Sequence, residues 1–170
     1  LEPLGPFAAA VDTHGSDEAG ETSVALVADP GRIVTITGTP AILAAGGKAI
    51  TIKADTADPA QVAAMFAQVD KELGTLTALV NNAAIAAKPG RFDEVDAATI
   101  HRLMAVNVFG YMYCTQEAIR RMATSKGGKG GAIVSVSSGA SQGAAPSEAL
   151  YAASKGAVNS LTLGLSQDLA

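Results

Sequence analysis

Two residues late in the chain have the types and the spacing for acid–base chemistry. Tyr151 and Lys155 lie four positions apart in YAASK, so on a helix their side chains share one face. A nearby ammonium favours the phenolate. It should therefore lower the pKa of a tyrosine from about 10 toward the range in which a general acid or base works. The same spacing also occurs on ordinary helix surfaces, so the pair needs a partner before it indicates a site.

Three further polar residues directly follow predicted strands: Asp55, Asn82 and Ser138. In an open parallel sheet, ligands bind outside the carboxyl ends of the strands, so these side chains are expected at one edge. Each also has an ordinary explanation, because Asp, Asn and Ser side chains often begin turns or satisfy loop backbone. Ser138 stands thirteen positions before Tyr151 and is the partner that the tyrosine–lysine pair needs.

Strands and helices are predicted to alternate along the chain. Runs rich in Val and Ile occur at 7–13, 32–37, 48–55, 77–83 and 131–138. Helical periodicity and capping residues predict helices over about 59–73, 97–123 and 151–169. This alternation predicts an α/β fold, with a mainly parallel sheet of about five strands and helices on both faces.

The connection between the second and third predicted strands is unusually short. Only about ten residues separate the runs 32–37 and 48–55, which is near the lower limit for a parallel crossover with its helix. Either a helix of little more than one turn, at about 40–45, joins them, or the two strands are not neighbours in the sheet.

Length, composition and charge limit the classes of function. A chain of 170 residues is expected to form one domain, and with 48% hydrophobic but only 4% aromatic residues its core must be aliphatic. A net charge of -4 without a basic stripe argues against a nucleic-acid partner. No apolar run reaches the roughly 18 residues of a membrane helix. His14 and His101 lack the spacing of metal ligands, so no metal is expected.

The single cysteine, Cys114, cannot form an internal disulfide. It lies among apolar residues of a predicted helix, where a buried and unreactive thiol is expected. A chain without disulfides suits a reducing compartment, which predicts a cytoplasmic location.

Four motifs together resemble one known family. NNAA at 81–84, Asn107 within MAVNVFG, SVSS at 135–138 and YAASK at 151–155 match the short-chain dehydrogenase/reductase family in order and spacing. The resemblance runs from about residue 44 to residue 170. It implies a Rossmann-like fold and an NAD(P)-dependent oxidoreductase that interconverts an alcohol and a carbonyl by hydride transfer. The substrate would be a small molecule.

The resemblance also implies roles for four catalytic residues. Tyr151 would exchange a proton with the substrate oxygen, and Lys155 would lower the pKa of that tyrosine and hold the nicotinamide ribose. Ser138 would hydrogen-bond the substrate oxygen. Asn107 would interrupt its helix and hold a water that links the lysine to solvent.

The remaining roles implied by the resemblance concern the cofactor and a second subunit. Asp55 would contact the adenine, and Asn82 with Ala83 would line the adenosine side of the cofactor. The helices at 99–123 and 151–169 resemble those that form the family's main dimer contact, which implies a homodimer or homotetramer.

The N-terminal part departs from the family pattern. The family follows its first strand with TG, three residues, G, one residue and G, whereas Thr37-Gly38 is followed by Pro40 and Ile42, and the next glycines are Gly46 and Gly47. Pro40 has no N–H to offer a pyrophosphate, so the stretch ITGTPAILAAGG is not expected to hold a phosphate.

Residues 4–40 resemble a βαβ unit of medium-chain, quinone-reductase-like dehydrogenases instead. This predicts an atypical segment at 1–40 joined to a short-chain dehydrogenase core at 44–170, and a fold incomplete at both ends relative to the family. The segment that would distinguish NAD from NADP is missing. A second hypothesis is therefore a truncated or chimeric remnant with a structural or binding role and no efficient cofactor binding.

Overall fold

The part of the chain that the structure describes alternates between strands and helices, as predicted. This computed structural model describes the backbone of residues 10–12, 33–35 and 49–169, and the side chains of residue 50 and of residues 52–169. The strands are β1 Ala10–Asp12, β2 Ile33–Thr35, β3 Ala49–Thr51, β4 Ala78–Asn81 and β5 Ala132–Ser135. The helices are α1 Pro59–Glu72, α2 Ala97–Met104, α3 Gly110–Met122 and α4 Ala149–Asp168.

All five strands pair in parallel, in the order β3-β2-β1-β4-β5. This is the strand order of doubly wound dinucleotide-binding folds, whose ligand crevice opens where the order reverses, here between β1 and β4. Ile33 of β2 pairs with Ala49 of β3, so the hypothesis that these strands are not neighbours is wrong. The short helix proposed at 40–45 lies outside the described residues.

The hydrophobic core lies between the sheet and helices α1 and α3. Its largest fully buried apolar side chains include Phe66 and Met65 from α1 and Leu79 from β4, and Cys114 and Ala118 of α3 pack against them. Helices α1 and α3 cover this face of the sheet. The prediction of helices on the other face concerns residues outside the described part of the chain.

The signals that begin and end α1 act as predicted. The Asp58 carboxylate accepts hydrogen bonds from the amides of Ala60 and Gln61, and Pro59 occupies the first helical position. After the helix, Gly74 adopts a φ of +81°, a left-handed conformation that glycine reaches without strain. Local capping chemistry therefore sets both ends of this helix.

The third and fifth predicted strands are markedly shorter than expected. β3 ends at Thr51, four residues before Asp55. The Asp55 backbone belongs instead to the turn before α1, where its carbonyl accepts from Asp58 N and its N–H donates to Gln61 Oε1. β5 ends at Ser135, although Val136 N still donates to Asn81 O. Ser138 lies beyond the strand and begins a 3₁₀ turn.

Two helices also differ from their predicted bounds. The predicted helix at 97–123 contains a π-helical segment, Ala105–Phe109, which separates α2 from α3. α4 begins at Ala149, two residues earlier than predicted, after Ser147 turns the chain with a φ of +70°. Among the described helices, none is long and apolar enough to cross a membrane.

Candidate functional site

Lys155 is the most buried charged group among the described residues. It lies on α4 with 2% of its surface exposed, and its ammonium Nζ donates to Val136 O at 2.9 Å and to Tyr111 Oη at 3.3 Å. Burial lowers the pKa of Lys155 below that of a free lysine. In the described part of the chain no carboxylate forms an ion pair with it. The site therefore holds a cation among neutral partners.

Tyr151 lies one turn before Lys155, and its ring centre is 5.9 Å from the ammonium. The helical spacing thus brings the phenol and the cation together, as the sequence predicted. Tyr151 also lines a cavity of about 460 Å³ between the loop at 86–92 and the start of α4 at 147–151. A molecule in this cavity would contact the tyrosine directly.

Ser138 is held next to the same turn of α4. The preceding residue, Ser137, donates its hydroxyl to Lys155 O at 3.3 Å, and Ser141 accepts a hydrogen bond from Asn159 of α4. The Ser138 hydroxyl accepts from Ala140 N at 3.2 Å. Its own hydrogen has no acceptor among the described residues, so it can be donated to a ligand oxygen.

Asn107 connects α4, the π-helical segment and the loop that follows β4. Its side chain is fully buried, accepts from Ile85 N at 2.8 Å, and donates to Ile85 O at 2.9 Å and Ser154 Oγ at 3.1 Å. These bonds satisfy both ends of the amide. The helix is irregular where the resemblance implied, and the hydrogen bonds of the Asn107 amide go to Ile85 and Ser154, not to Lys155.

The end of β4 brings Asn82 and Ala83 to the edge where the strand order reverses. Both residues are half-buried. The preceding residue, Asn81, is fully buried and donates from Nδ2 to Thr115 Oγ1 at 3.0 Å, whereas its Oδ1 has no partner among the described residues. The Asn81 side chain thus anchors β4 to α3, and Asn82 and Ala83 follow at the crevice.

Asp55 stands apart from Lys155, in the loop before α1. Its carboxylate accepts from Ala57 N at 3.0 Å and from Arg102 Nη1 of α2 at 2.7 Å. The hydrogen bond from Arg102 is the main cause that lowers the pKa of Asp55. The carboxylate is therefore ionised and is held against α2.

The site residues thus form two groups. One group lies around one turn of α4 and contains Ser138, Tyr151 and Lys155. Asn107 is linked to this turn by its hydrogen bond to Ser154. The other group is at the strand edge and the loop before α1: Asp55, Asn82 and Ala83.

The sequence analysis missed two residues of this site, Tyr111 and Arg102. Tyr111 is 1% exposed and contacts Lys155 from α3. A tyrosine one helical turn after Asn107 is a weak signal by itself, because an aromatic residue on the buried face of a helix is usually core. The signal for Arg102 was weaker still, since a single arginine on an exposed helix face is common.

The chain is similar to known proteins in both sequence and structure. The family model described as short chain dehydrogenase matches residues 21–170. The uncharacterized oxidoreductase YgfF of Escherichia coli is 42% identical, over 96% of this chain and 71% of that protein. The match begins well before residue 44, so it extends into the N-terminal segment that the motifs had set apart.

Two other relatives are informative. The inactive 2-(S)-hydroxypropyl-CoM dehydrogenase 2 of Xanthobacter autotrophicus is 42% identical over 69% of this chain and 49% of that protein. The crystal structure of a short chain dehydrogenase from Burkholderia cenocepacia in complex with NADP superimposes with a TM-score of 0.79 and 32% identity, covering 98% of this chain and 69% of that one. The chain thus spans between about half and about 70% of the length of these relatives.

Proposed function

The chain belongs to the short-chain dehydrogenase family, and we propose that it is an NAD(P)-dependent oxidoreductase that interconverts an alcohol and a carbonyl in a small molecule. One observation carries the proposal: a buried ammonium, Lys155, beside a tyrosine that opens onto a cavity. A buried cation without a carboxylate costs stability, so its retention favours a role toward a ligand or a reacting group.

The residues present fit a dinucleotide at two places. At one, the Lys155 ammonium has three hydrogens and uses two of them on Val136 O and Tyr111 Oη, so one remains for a ribose hydroxyl or the tyrosine. At the other, the Asp55 carboxylate is part-exposed and keeps lone pairs for an adenine amino group. The segment that would face the pyrophosphate follows β1, the strand at the point where the order reverses, and it lies outside the described residues.

The nicotinamide, when bound, supplies or accepts the hydride. In carbonyl reduction the Tyr151 hydroxyl would give its proton to the substrate oxygen, and in alcohol oxidation it would take that proton back. Lys155 would stabilise the phenolate that exists between these steps. Ser138 would donate its uncommitted hydroxyl hydrogen to the substrate oxygen and so fix the distance to Tyr151.

Asn107 would act on this site through the π-helical segment in which it lies. A π-helical segment shifts the hydrogen-bond pattern of a helix and can leave a main-chain carbonyl for another partner. We propose that a water at this segment links Lys155 to solvent and returns the proton to Tyr151. The fixed Asn107 side chain would hold the segment in place for that water.

Exposed apolar side chains support a homodimer or homotetramer. Phe109 at the end of the π-helical segment is 44% exposed and Leu163 on α4 is 70% exposed, and a second chain would cover them. Light scattering of the purified protein tests this, and a single monomeric species would count against it. We also propose a cytoplasmic location, because a chain with a single thiol has no internal disulfide and suits a reducing compartment.

The alternative hypothesis, a remnant without efficient cofactor binding, rests on the missing glycine fingerprint. The pattern TG, three residues, G, one residue and G follows neither β1 nor β2 in the sequence, and one relative is itself named inactive. Binding therefore has to be measured before turnover.

The test is a fluorescence titration with NADH and with NADPH, on the wild type and on two variants. Lys155→Met removes the buried cation and keeps an unbranched side chain of similar length, and Lys129→Met removes an exposed lysine as a control. We expect saturable binding that Lys155→Met weakens at least roughly tenfold, as expected for loss of a charged hydrogen bond, and that Lys129→Met leaves unchanged. A folded wild type that binds neither cofactor at millimolar concentration would refute the proposal and favour the remnant.

A further inference from the structure

The nearest aromatic group to the Lys155 ammonium is not the proposed catalytic tyrosine. The ring centre of Tyr111 lies 5.2 Å from Nζ, against 5.9 Å for Tyr151. Tyr111 also accepts a hydrogen bond from Nζ at 3.3 Å. The ammonium is thus placed against Tyr111 by both its ring and its hydroxyl.

Tyr111 itself is rigidly placed. It is 1% exposed on α3, one turn after Asn107, and its hydroxyl donates to Val136 O at 3.2 Å. The same carbonyl oxygen accepts from Lys155 at 2.9 Å. Lysine, tyrosine and carbonyl therefore close a three-membered hydrogen-bonded ring in which the Tyr111 hydroxyl donates once and accepts once.

Tyr111 remains neutral in this position. Burial raises its pKa well above that of a free tyrosine, and the proximity of Tyr151 adds to the shift. The nearby Cys114 thiol is neutral as well, because burial raises its pKa to about 12. Tyr111 and the neighbouring Cys114 thus keep their protons at ordinary pH.

We propose that Tyr111 is a positioning residue for Lys155: its hydroxyl and ring hold the ammonium at the inner end of the site and keep it charged for Tyr151 and the cofactor. The inference rests on the proposed function for its consequence, but the contact itself is independent of any ligand. Tyr111 would act only through Lys155, since its hydroxyl is buried and turned toward Val136 O.

The physical reason is the balance of charge stabilisation around Nζ. Desolvation favours the neutral amine, and what opposes it here is a carbonyl oxygen, a hydroxyl oxygen and the faces of two rings. Removing the Tyr111 hydroxyl takes away one of the two hydrogen-bond acceptors. Since a hydrogen bond to a charged group is worth about one pKa unit or more, the pKa of Lys155 should fall by about one unit.

The experiment compares Tyr111→Phe with Tyr113→Phe, the same chemical change two residues along α3. Lysine labelled with ¹⁵N at Nζ is followed by NMR through a pH titration, with the Lys155 signal assigned from its loss in Lys155→Met. We expect the Lys155 midpoint to move about one pH unit lower in Tyr111→Phe and to stay at the wild-type value in Tyr113→Phe. Equal midpoints in the two variants would overturn the proposal.

Cofactor titration of the same proteins separates this inference from the proposed function. If the wild type binds NADPH or NADH, Tyr111→Phe should weaken binding severalfold more at pH 9 than at pH 6, because only the charged amine holds the ribose. A wild type that binds neither cofactor, with the NMR shift still present, would refute the dehydrogenase proposal while supporting the Tyr111 contact. If Tyr111→Phe weakens cofactor binding by the same factor at both pH values, the charge argument is overturned.

A folding defect in Tyr111→Phe would not prevent the test. The wild-type protein then supplies the measurement, through nuclear Overhauser contacts between the Lys155 side chain and the Tyr111 ring and through slow exchange of the ammonium protons. Their presence supports the proposal. A Lys155 side chain with fast-exchanging protons and no contact to Tyr111 would overturn it.

Discussion

Replacing Asn107 with alanine should remove the main connection between the loop after β4 and the helices beneath the site. The side chain makes three hydrogen bonds, two to the backbone of Ile85 and one to Ser154, and is fully buried. Each such bond contributes about 1 kcal/mol net, and buried groups left without partners add to the loss. Ile85 is 38% exposed, so water can replace part of what its backbone loses.

The expected destabilisation is therefore about 2–4 kcal/mol in the free energy of unfolding. For a chain of this size it corresponds to a fall in melting temperature of about 5–15 °C. Urea unfolding followed by circular dichroism measures the first quantity, and calorimetry the second. The slope of the urea dependence should stay unchanged if only the folded state is affected.

Asn159→Ala is the matched control. In the described part of the chain that amide makes one side-chain hydrogen bond, from Nδ2 to Ser141 Oγ at 2.8 Å, and it lies on the same helix as Ser154. Its loss should cost about 0.5–1.5 kcal/mol. A double-mutant cycle between Asn107→Ala and Ser154→Ala should give a coupling of at least about 0.5 kcal/mol. If Asn107→Ala costs no more than Asn159→Ala, the Asn107 connection does not hold this loop and the reasoning is refuted.

Three further changes have expected outcomes. Gly110→Ala should destabilise the fold by about 1–3 kcal/mol in urea, because the new methyl would lie 2.9 Å from the Thr56 hydroxyl oxygen. Gly90→Ala, whose methyl would meet Lys88 O at 4.0 Å, an ordinary contact distance, should be close to neutral. Cys114 should not react with a disulfide reagent at pH 8 in the native protein, since it is buried and its pKa is raised to about 12. It should react once the protein is unfolded in guanidinium. Labelling of the native protein would contradict this. Arg102→Gln should lower the free energy of unfolding at neutral pH. Because the pKa of Asp55 is lowered in the fold, this loss should persist down to about pH 4 and shrink as the pH falls further. A loss that grows in acid would refute the pairing.

The sequence predicted those features of the fold that depend on neighbouring residues. Asp58, Pro59 and Gly74 give α1 its ends through capping and a left-handed glycine, and both kinds of signal lie within a few positions of their effect. The tyrosine–lysine pair was also predictable, since helical geometry places residues four apart on one face. Strand ends were predicted less well: β3 stops at Thr51, four residues before the turn that Asp55 begins.

Contacts between distant segments could not be predicted in this way. The Asp55–Arg102 bond joins positions 47 apart, and Tyr111 meets Lys155 across 44 positions. Neither pair has a local pattern, because each depends on how α2, α3 and α4 pack against the sheet. The expected contact of the Asp55 carboxylate with adenine stays a prediction, and the structure adds an arginine that holds this carboxylate.

The two charged groups of the site differ in a way that bears on function. Asp55 is part-exposed and has an arginine partner, so its charge costs little and would be tolerated in any protein. Lys155 is 2% exposed, and its partners within the described residues are a carbonyl, a hydroxyl and two rings. A buried cation with neutral partners lowers stability relative to an apolar side chain of the same volume. The buried cation thus gives the fold no packing advantage. Because it lies next to a tyrosine at a cavity, it is best explained by the charge that it offers to a phenolate and to a ligand.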